Sequence, residues 1–575
     1  MLKRIFFILP IQLFSLFIFA QTPYPVNYFG SPVKCDLTLV GNFGEIRPNH
    51  LHSGFDIKTN CQEGMPVYAV ADGFVSRIKI NSKGYGKALY INHPNGYTSV
   101  YAHLQSFNGA IGSAAKNIQY AIQSFEIDTL LTSTILPVKK GDLIGLSGNT
   151  GSSEGPHLHF EIRETKTETP INPYFFGYSI KDNVKPRITE LVIYPIGKTA
   201  TVNGKNIPQK IKPLSNKMGY YFNKSDSITV HGDIGFGIEC FDSETGSTNQ
   251  NSVFSIELQS GGKRIFYSEL EKCNFENTRY VNAHIDYAEK QKHHHKIQKC
   301  FLAKNNLLGI YKDVLNSGIS SFTDDASHWL KFIVKDFSGN TTELILKVRS
   351  ASQSKIIEIP KNPNDIIFDC FKDNEYKNED IEIYIPAHSL YDDLKFKINK
   401  SAMAKGTYSM LYHIQDENTA LQKAYSLSIK AVNLSPSLQS KAVIISINNK
   451  GKRNYEGGVY SHGWVSTQAM TFGNFAITVD TIPPKIKPDF KIIDLANVDF
   501  RKSKLISFKV TDNLSGIKKY RAIIDGKWIL CEYDFKKDLL FYEFDDAIHS
   551  GEHTFKIEVA DEKNNSSIWR CNFLR

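Results

Sequence analysis

The chain has 575 residues, a formal net charge of +9, and 41% hydrophobic, 12% aromatic and 22% charged residues. That length exceeds one hydrophobic core and predicts three to five domains at roughly 100–200 residues each, while the mild positive charge suits a solvated surface or an anionic polymer such as a cell-wall component. The aromatics come without a basic-aromatic motif, which excludes nucleic acid as an expected partner, and the eight cysteines contain no CxxC pair, which excludes cysteine-ligated zinc.

At the start, MLKRIFFILPIQLFSLFIFA places Lys3 and Arg4 before an apolar run from Ile5 to Ala20. This is the layout of a secretory signal peptide over 1–20, with cleavage after Ala20. The run is shorter than the roughly 20 apolar residues of a membrane span, and Gln21 stands where a lipid-anchored bacterial protein would carry Cys. No later stretch is apolar enough to span, so the expected location is the periplasm and cell envelope, or the medium. In such an oxidising compartment Cys35 with Cys61, or Cys531 with Cys571, could pair within one domain, although spacing alone does not set connectivity.

From about 28 to 180 the chain reads as short strands between glycine turns. VYAVADGFVSRI (67–78) breaks at Asp72-Gly73, and KALYINHPNGYTSVYAHL (87–104) is two strands around an Asn95-Gly96 hairpin signal. DLIGLSGNTGSSEGPHLHFEIR (142–163) is a strand, a polar loop over Ser147–Gly155 and a final strand. Three strings in this segment carry chemistry: HSGFD (52–56), YAH (101–103) and HLH (157–159). A histidine and a carboxylate four apart, joined by a histidine from a distant strand, make a three-ligand set that leaves zinc an open position, and that set is hydrolytic by default. In HLH the two imidazoles point to one face of a strand, so one can bind metal while the other handles protons. HSGFD alone arises often by chance and a lone His103 is ordinarily a packing residue. The joint occurrence of the three strings, in order, is the signal. HExxH is absent, and GSSEG (151–155), which fits GxSxG by spacing, leads from a polar loop into a strand and so makes no strand-to-helix nucleophile elbow.

Five blocks, HSGFDI, GMPVYAVADGFVSRI, GYGKALYINHPNGYTSVYAHL, VKKGDLIGLSGNTG and GPHLHFEIR, resemble the LytM/lysostaphin-type zinc peptidases, the M23 family, over roughly Asn42 to Arg163. The resemblance implies a LytM/M23-type antiparallel β-sheet peptidase domain with one Zn2+ held by His52, Asp56 and His159, and with His103 and His157 as catalytic histidines. It implies hydrolysis of peptide cross-links in bacterial peptidoglycan by a zinc-bound water, with stem peptides as substrate. In a diaminopimelate-type wall the bond would be D-alanyl to diaminopimelate. The alternative is a non-catalytic LytM-type regulator, or a wall-binding protein that activates another hydrolase. Its hallmark would be a replaced ligand, and none of the five positions is replaced.

The segment between His103 and Val138 is longer than in compact family members. Within this insertion (about 108–135), Ala114–Gln123 reads as a short helix and Ser124–Leu131 as an alternating strand. Following His103 directly, it is expected either to wall the substrate cleft or to sit as a neutral surface insertion. The Ser147–Gly155 loop is also placed to line the cleft.

After a boundary near Lys181–Arg187 the chain stays mainly β. A weak repeat, IECFDSETGS, FIVKDFSGNT, FKVTDNLSG and IEVADEKNNS, puts Asp242, Asp336, Asp512 and Asp561 in acidic turns and predicts immunoglobulin-like β-sandwich modules. These aspartates are read as turn formers, with calcium binding as the alternative. The expected division is 188–350 for the first Ig-like region, 351–479 for a β-rich module of uncertain type, and 486–575 for a C-terminal Ig-like sandwich after the joint DTIPPKIKP (480–488). A peptidase followed by sandwich modules looks like envelope members of the Bacteroidota, and the tail is expected to position the enzyme or bind an envelope protein. His293-His294-His295, in a lysine-rich stretch, reads as a solvated loop.

Overall fold

Residues 157–163 alternate His-Leu-His-Phe-Glu-Ile-Arg, so a strand there must turn its apolar members one way and its polar members the other. The computed structural model describes residues 24–217, 219–223, 228–351, 365–490 and 498–575, and the expected signal segment lies outside them. In it Leu158, Phe160 and Ile162 are fully buried in the main core, and the polar face of the same strand builds the site. Seven strands run β1 (Leu39–Gly41), β2 (Phe55–Lys58), β3 (Gly73–Ile80), β4 (Lys87–Asn92), β5 (Tyr97–Leu104), β6 (Ile127–Leu130) and β7 (His157–Glu164). They lie in the order β1-β2-β7-β5-β4-β3-β6 within a nine-stranded sheet, antiparallel at each step.

Close approach of β2 to β7 needs a residue without a side chain. A Cβ on Gly54 would fall 2.2 Å from the Phe160 carbonyl oxygen and 2.8 Å from Glu161 Cγ. That is why the HSGFD string carries glycine at its centre.

The insertion forms helix α1 (Gly109–Ile122) and strand β6. The helix begins five residues before the expected start, because Ile111, Ala115 and Gln119, spaced four apart, bury one continuous face despite glycines in the first turns. Strand β6 pairs with β3 at the far edge of the sheet, three strands from β5, so the insertion extends the edge and leaves the histidine-bearing strands uncovered. Its partner is the C-terminal region: Tyr120 packs edge-on against Trp528 at 5.2 Å, Lys116 pairs with Asp545 at 2.6 Å, and Gln123 accepts from Arg521 at 2.7 Å.

The rest is β structure around three further cores. Residues 187–350 form an eleven-stranded arrangement threaded by the long strand Ile228–Phe241. Residues 374–479 form two five-stranded sheets, joined by a two-stranded sheet of Ile366–Phe368 and Leu394–Phe396, and 485–574 form a four- and a five-stranded sheet, each region enclosing its own apolar core in sandwich fashion. The core under the nine-stranded sheet also takes in Leu270, Tyr280, Val281 and Ile310 from the region after it, and Tyr174 stacks on Phe337 at 4.7 Å. From the C-terminal sandwich Lys536 Nζ donates to the carbonyls of Asn149 and Ser153, the latter at 2.9 Å, and Glu532 pairs with Lys87 at 2.9 Å. Among the described residues no helix is long and apolar enough to cross a membrane.

Two expectations are revised. All eight cysteines are free thiols, with Cys531 and Cys571 packed as apolar side chains in the C-terminal core. The histidine triplet closes a short helix, Tyr287–His293, and His295 pairs with Glu239 at 3.0 Å instead of standing free in solvent.

A Gly54→Ala substitution must push β2 from β7, which for overpacking of a tight contact costs about 1–3 kcal/mol. Hydrogen exchange in Phe55–Lys58 and His157–Glu164 is expected to accelerate selectively, and unchanged exchange in both strands would contradict the close-approach argument.

Candidate metal centre

Register alone brings two of the candidate residues together. His159 on β7 lies directly opposite Asp56 on β2 and opposite Ala102 on β5, and residues directly opposite in an antiparallel pair share a face. His159 Nδ1 is 2.8 Å from Asp56 Oδ1. His52, in the loop just before β2, brings its Nε2 to 3.0 Å from both Asp56 Oδ1 and His159 Nδ1. All three side chains are buried.

Hydrogen-bond partners on the outside fix which nitrogen of each ring faces in. A carbonyl oxygen can only accept, so the Asn42 carbonyl, 2.7 Å from His52 Nδ1, leaves His52 Nε2 with a lone pair. Glu161 Oε1, 2.8 Å from His159 Nε2, leaves Nδ1 of His159 facing Asp56. His103 donates from Nδ1 to the Thr150 carbonyl at 2.9 Å, and His157 from Nδ1 to the Gly155 carbonyl at 2.8 Å. His52, His157 and His159 thus donate outward and bring their other nitrogen to 3.0, 3.3 and 2.8 Å from Asp56 Oδ1, one small volume that the His103 ring borders. The rings of His103 and His157 lie 4.8 Å apart.

His103 reaches that volume against the alternation of its strand. Val100 and Ala102 pack on the site face and Tyr101 in the main core, so a regular strand would send residue 103 to the core. A bulge intervenes: Leu89 pairs with Tyr101 but Lys87 with Leu104, and His103 has φ of +59°, in the left-handed region. A bulge that re-aims one side chain is a recurrent device at functional sites.

The electrostatics are those of a site built to hold positive charge. Burial works against ionisation of Asp56, yet contacts with the three histidines hold it well below the usual carboxylate range. Burial likewise opposes charge on Glu161, but Arg163, His159 and their hydrogen bonds keep it ionised. Burial opposes protonation of His159, and hydrogen bonds to Asp56 and Glu161 outweigh it and raise its pKa to about 9. Two buried carboxylates therefore draw a cation to the His159 position. Two imidazole nitrogens and a carboxylate oxygen make a donor set that would suit zinc. Burial pushes His103 down to about 3, so that ring is uncharged.

Five supporting residues were not singled out from the sequence. Arg47 holds Asp56 Oδ2 at 2.9 Å. Ser53 and Tyr85 donate to Glu161 Oε1 at 2.7 and 2.5 Å, and Arg163 donates to Glu161 Oε2 at 2.6 Å, alongside Glu161 itself. Glu161 and Arg163 had a readable signal, since they stand two and four residues after His159 and must share its face. Arg47, Ser53 and Tyr85 had none.

The sequence pattern of peptidase family M23 matches residues 50–119 and 117–173, and that of a Zu5-like domain matches 365–480. The chain is 37% identical over 123 residues to a DD-carboxypeptidase/endopeptidase, Mpg, of Neisseria meningitidis, covering 21% of this chain and 22% of that protein. It is 34% identical over 99 residues to the peptidoglycan DD-endopeptidase ShyC of Vibrio cholerae, covering 17% of each. The matched segment thus spans about a fifth of these relatives' length. A solved zinc-containing peptidase of Vibrio cholerae is 26% identical, over 26% of this chain and 37% of that one, with a TM-score of 0.17.

Glu161→Gln removes the charge that orients His159 while keeping its shape. Loss of such an outer partner typically weakens metal affinity 10–100-fold, and competition with a chromophoric chelator is expected to show a zinc affinity lower by that factor. Equal affinities in the two proteins would contradict the role assigned to Glu161.

Proposed function

From a chain that carries a peptidase family M23 domain at residues 50–173, we propose a zinc metalloendopeptidase that hydrolyses peptide cross-links of bacterial peptidoglycan in the cell envelope. One observation supports it above the others: His52, His157 and His159 converge their inward nitrogens on the Asp56 carboxylate, and the His103 ring lies 4.8 Å from that of His157. Held by His52 Nε2, Asp56 Oδ1 and His159 Nδ1, zinc supplies a Lewis acid that polarises an amide carbonyl and acidifies water.

The chain's own groups do the rest. Arg47 and Glu161 pin Asp56 and His159 from behind, so the donor atoms are set before substrate arrives. His157, with its Nδ1 proton committed to Gly155 and its Nε2 3.3 Å from Asp56 Oδ1, presents a lone pair beside the donor set and takes a proton from the attacking water. His103 presents Nε2 from the other strand. Burial keeps that ring uncharged, and the proton that His157 takes from the water is the one the leaving amine receives as the C–N bond breaks. The Ser147–Gly155 loop carries the carbonyls that orient both rings, so its geometry bears directly on proton transfer. A regulator that has lost catalysis would need none of this alignment. Peptidoglycan as substrate is supported by the names of the matched relatives, a DD-carboxypeptidase/endopeptidase and a peptidoglycan DD-endopeptidase.

The test is mass spectrometry of fragments released from purified sacculi by the zinc-loaded full chain, with His157→Ala and His103→Ala beside it. Cross-linked dimers should fall and monomer stems rise, and each variant should retain zinc while losing about 10²–10⁴-fold in rate. Identical fragment profiles for all three proteins would overturn the reading.

A further inference from the structure

A second group of acids lies where the catalytic region meets the β region after it. Asp182 leads out of the catalytic region, Asp242 follows the strand Ile228–Phe241, and Asp336 follows the strand Ser327–Lys335. One carboxylate oxygen from each lies within 4.8 Å of the other two. Asp242 and Asp336 are only 5% and 4% exposed. The charged groups acting most strongly on Asp242 are Asp182, Asp336 and Glu244, all of its own sign.

Turn formation accounts for part of this group and stops at Asp242. Asp336 holds its turn by accepting from the Asn340 amide and side chain at 2.9 and 2.8 Å, and Asp182 accepts from the Val184 amide at 2.9 Å. Asp242 Oδ1, by contrast, is buried with no hydrogen-bond partner, an arrangement that costs about 1–3 kcal/mol for a polar atom and more for a charged one. The three carboxylates line a cavity of about 20 Å³ together with Asn42, Tyr174 and Ser252, room for one water or one ion. A water could satisfy the orphaned oxygen but would leave the gathered negative charge unopposed. An all-oxygen, carboxylate-rich donor set is the preference of hard cations.

We propose that Asp182, Asp242 and Asp336 bind a hard divalent cation of the calcium class, which ties the catalytic region to the β region after it. Burial and the neighbouring acids push Asp242 up to about 7 in the absence of a cation, in keeping with a carboxylate that lacks its counter-charge. The site also touches the metal centre through one residue. Asn42 grips Ser252 with both side-chain atoms, at 2.7 and 2.9 Å, and its carbonyl takes the proton of His52 Nδ1 at 2.7 Å. A cation in the cavity therefore braces the wall that orients His52. The repeat's second copy, Asp480, Asp512 and Asp561, also leaves one carboxylate oxygen without a partner, Asp512 Oδ1, but Asp512 is only half-buried and the Lys563 cation stands beside Asp480 and Asp561.

Calcium chloride titrated into the zinc-loaded full-length protein, followed by calorimetry and thermal unfolding, tests the site. Saturable binding with a rise in Tm is expected, and Asp242→Asn and Asp182→Asn should each weaken it by at least about tenfold, since affinity follows ligand charge. Asp242→Asn relieves repulsion, so in calcium-free buffer it should unfold at or above the parent Tm, which separates loss of the site from loss of the fold. The proposal fails if no saturable binding occurs up to about 10 mM, well above the roughly 10⁻⁴–10⁻³ M constants of extracellular calcium modules, or if both variants bind calcium as the parent does.

Discussion

The cross-strand pair of Asp56 and His159 is the constraint from which the rest of the site follows. Two antiparallel strands in a single register set a carboxylate oxygen 2.8 Å from an imidazole nitrogen on a buried face. A slip of one residue in either strand would send that strand's member of the pair into the apolar core. The register is held by the other face of the same strands, where Phe55, Ile57, Leu158 and Phe160 are fully buried. The hydrophobic pattern thus positions the chemistry that it does not itself contain.

Burying that pair creates an electrostatic demand, and the neighbouring residues answer it. An unpaired buried carboxylate is strongly destabilising, and here Asp56 has Arg47 behind it while Glu161 has Arg163, Tyr85 and Ser53. The same contacts select the ring nitrogens that face inward. Stability of the site and its readiness for a cation therefore share one set of hydrogen bonds. The acidic group at Asp182, Asp242 and Asp336 lacks any such cationic side chain among the described residues, and this contrast is what distinguishes a finished polar network from one that awaits a partner.

Much of this was legible in the chain. The HxH alternation, the HxxxD spacing and the Asn95-Gly96 hairpin each rest on local periodicity, and His52, Asp56, His157 and His159 meet as those patterns require. His103 obeys a different rule: its placement depends on a bulge between β4 and β5, which alternation predicts wrongly. Helix α1 starts before Ala114 because burial of the face through Ile111 and Ala115 outweighs the cost of Gly109 and Gly112 in its first turns. Contacts such as Lys536 with the Asn149–Ser153 loop, or Asn42 with Ser252, join residues 210 or more positions apart, and no local pattern reports them.

The central claim, that this register assembles a zinc site from two imidazoles and one carboxylate, is tested most directly by zinc K-edge X-ray absorption on the purified full-length protein, with the metal content measured on the same sample. One zinc per chain, with scattering from two imidazole rings and oxygen donors, and loss of that signature in Asp56→Ala, is the predicted result. Absence of bound zinc after loading, or an unchanged spectrum in Asp56→Ala, would contradict it.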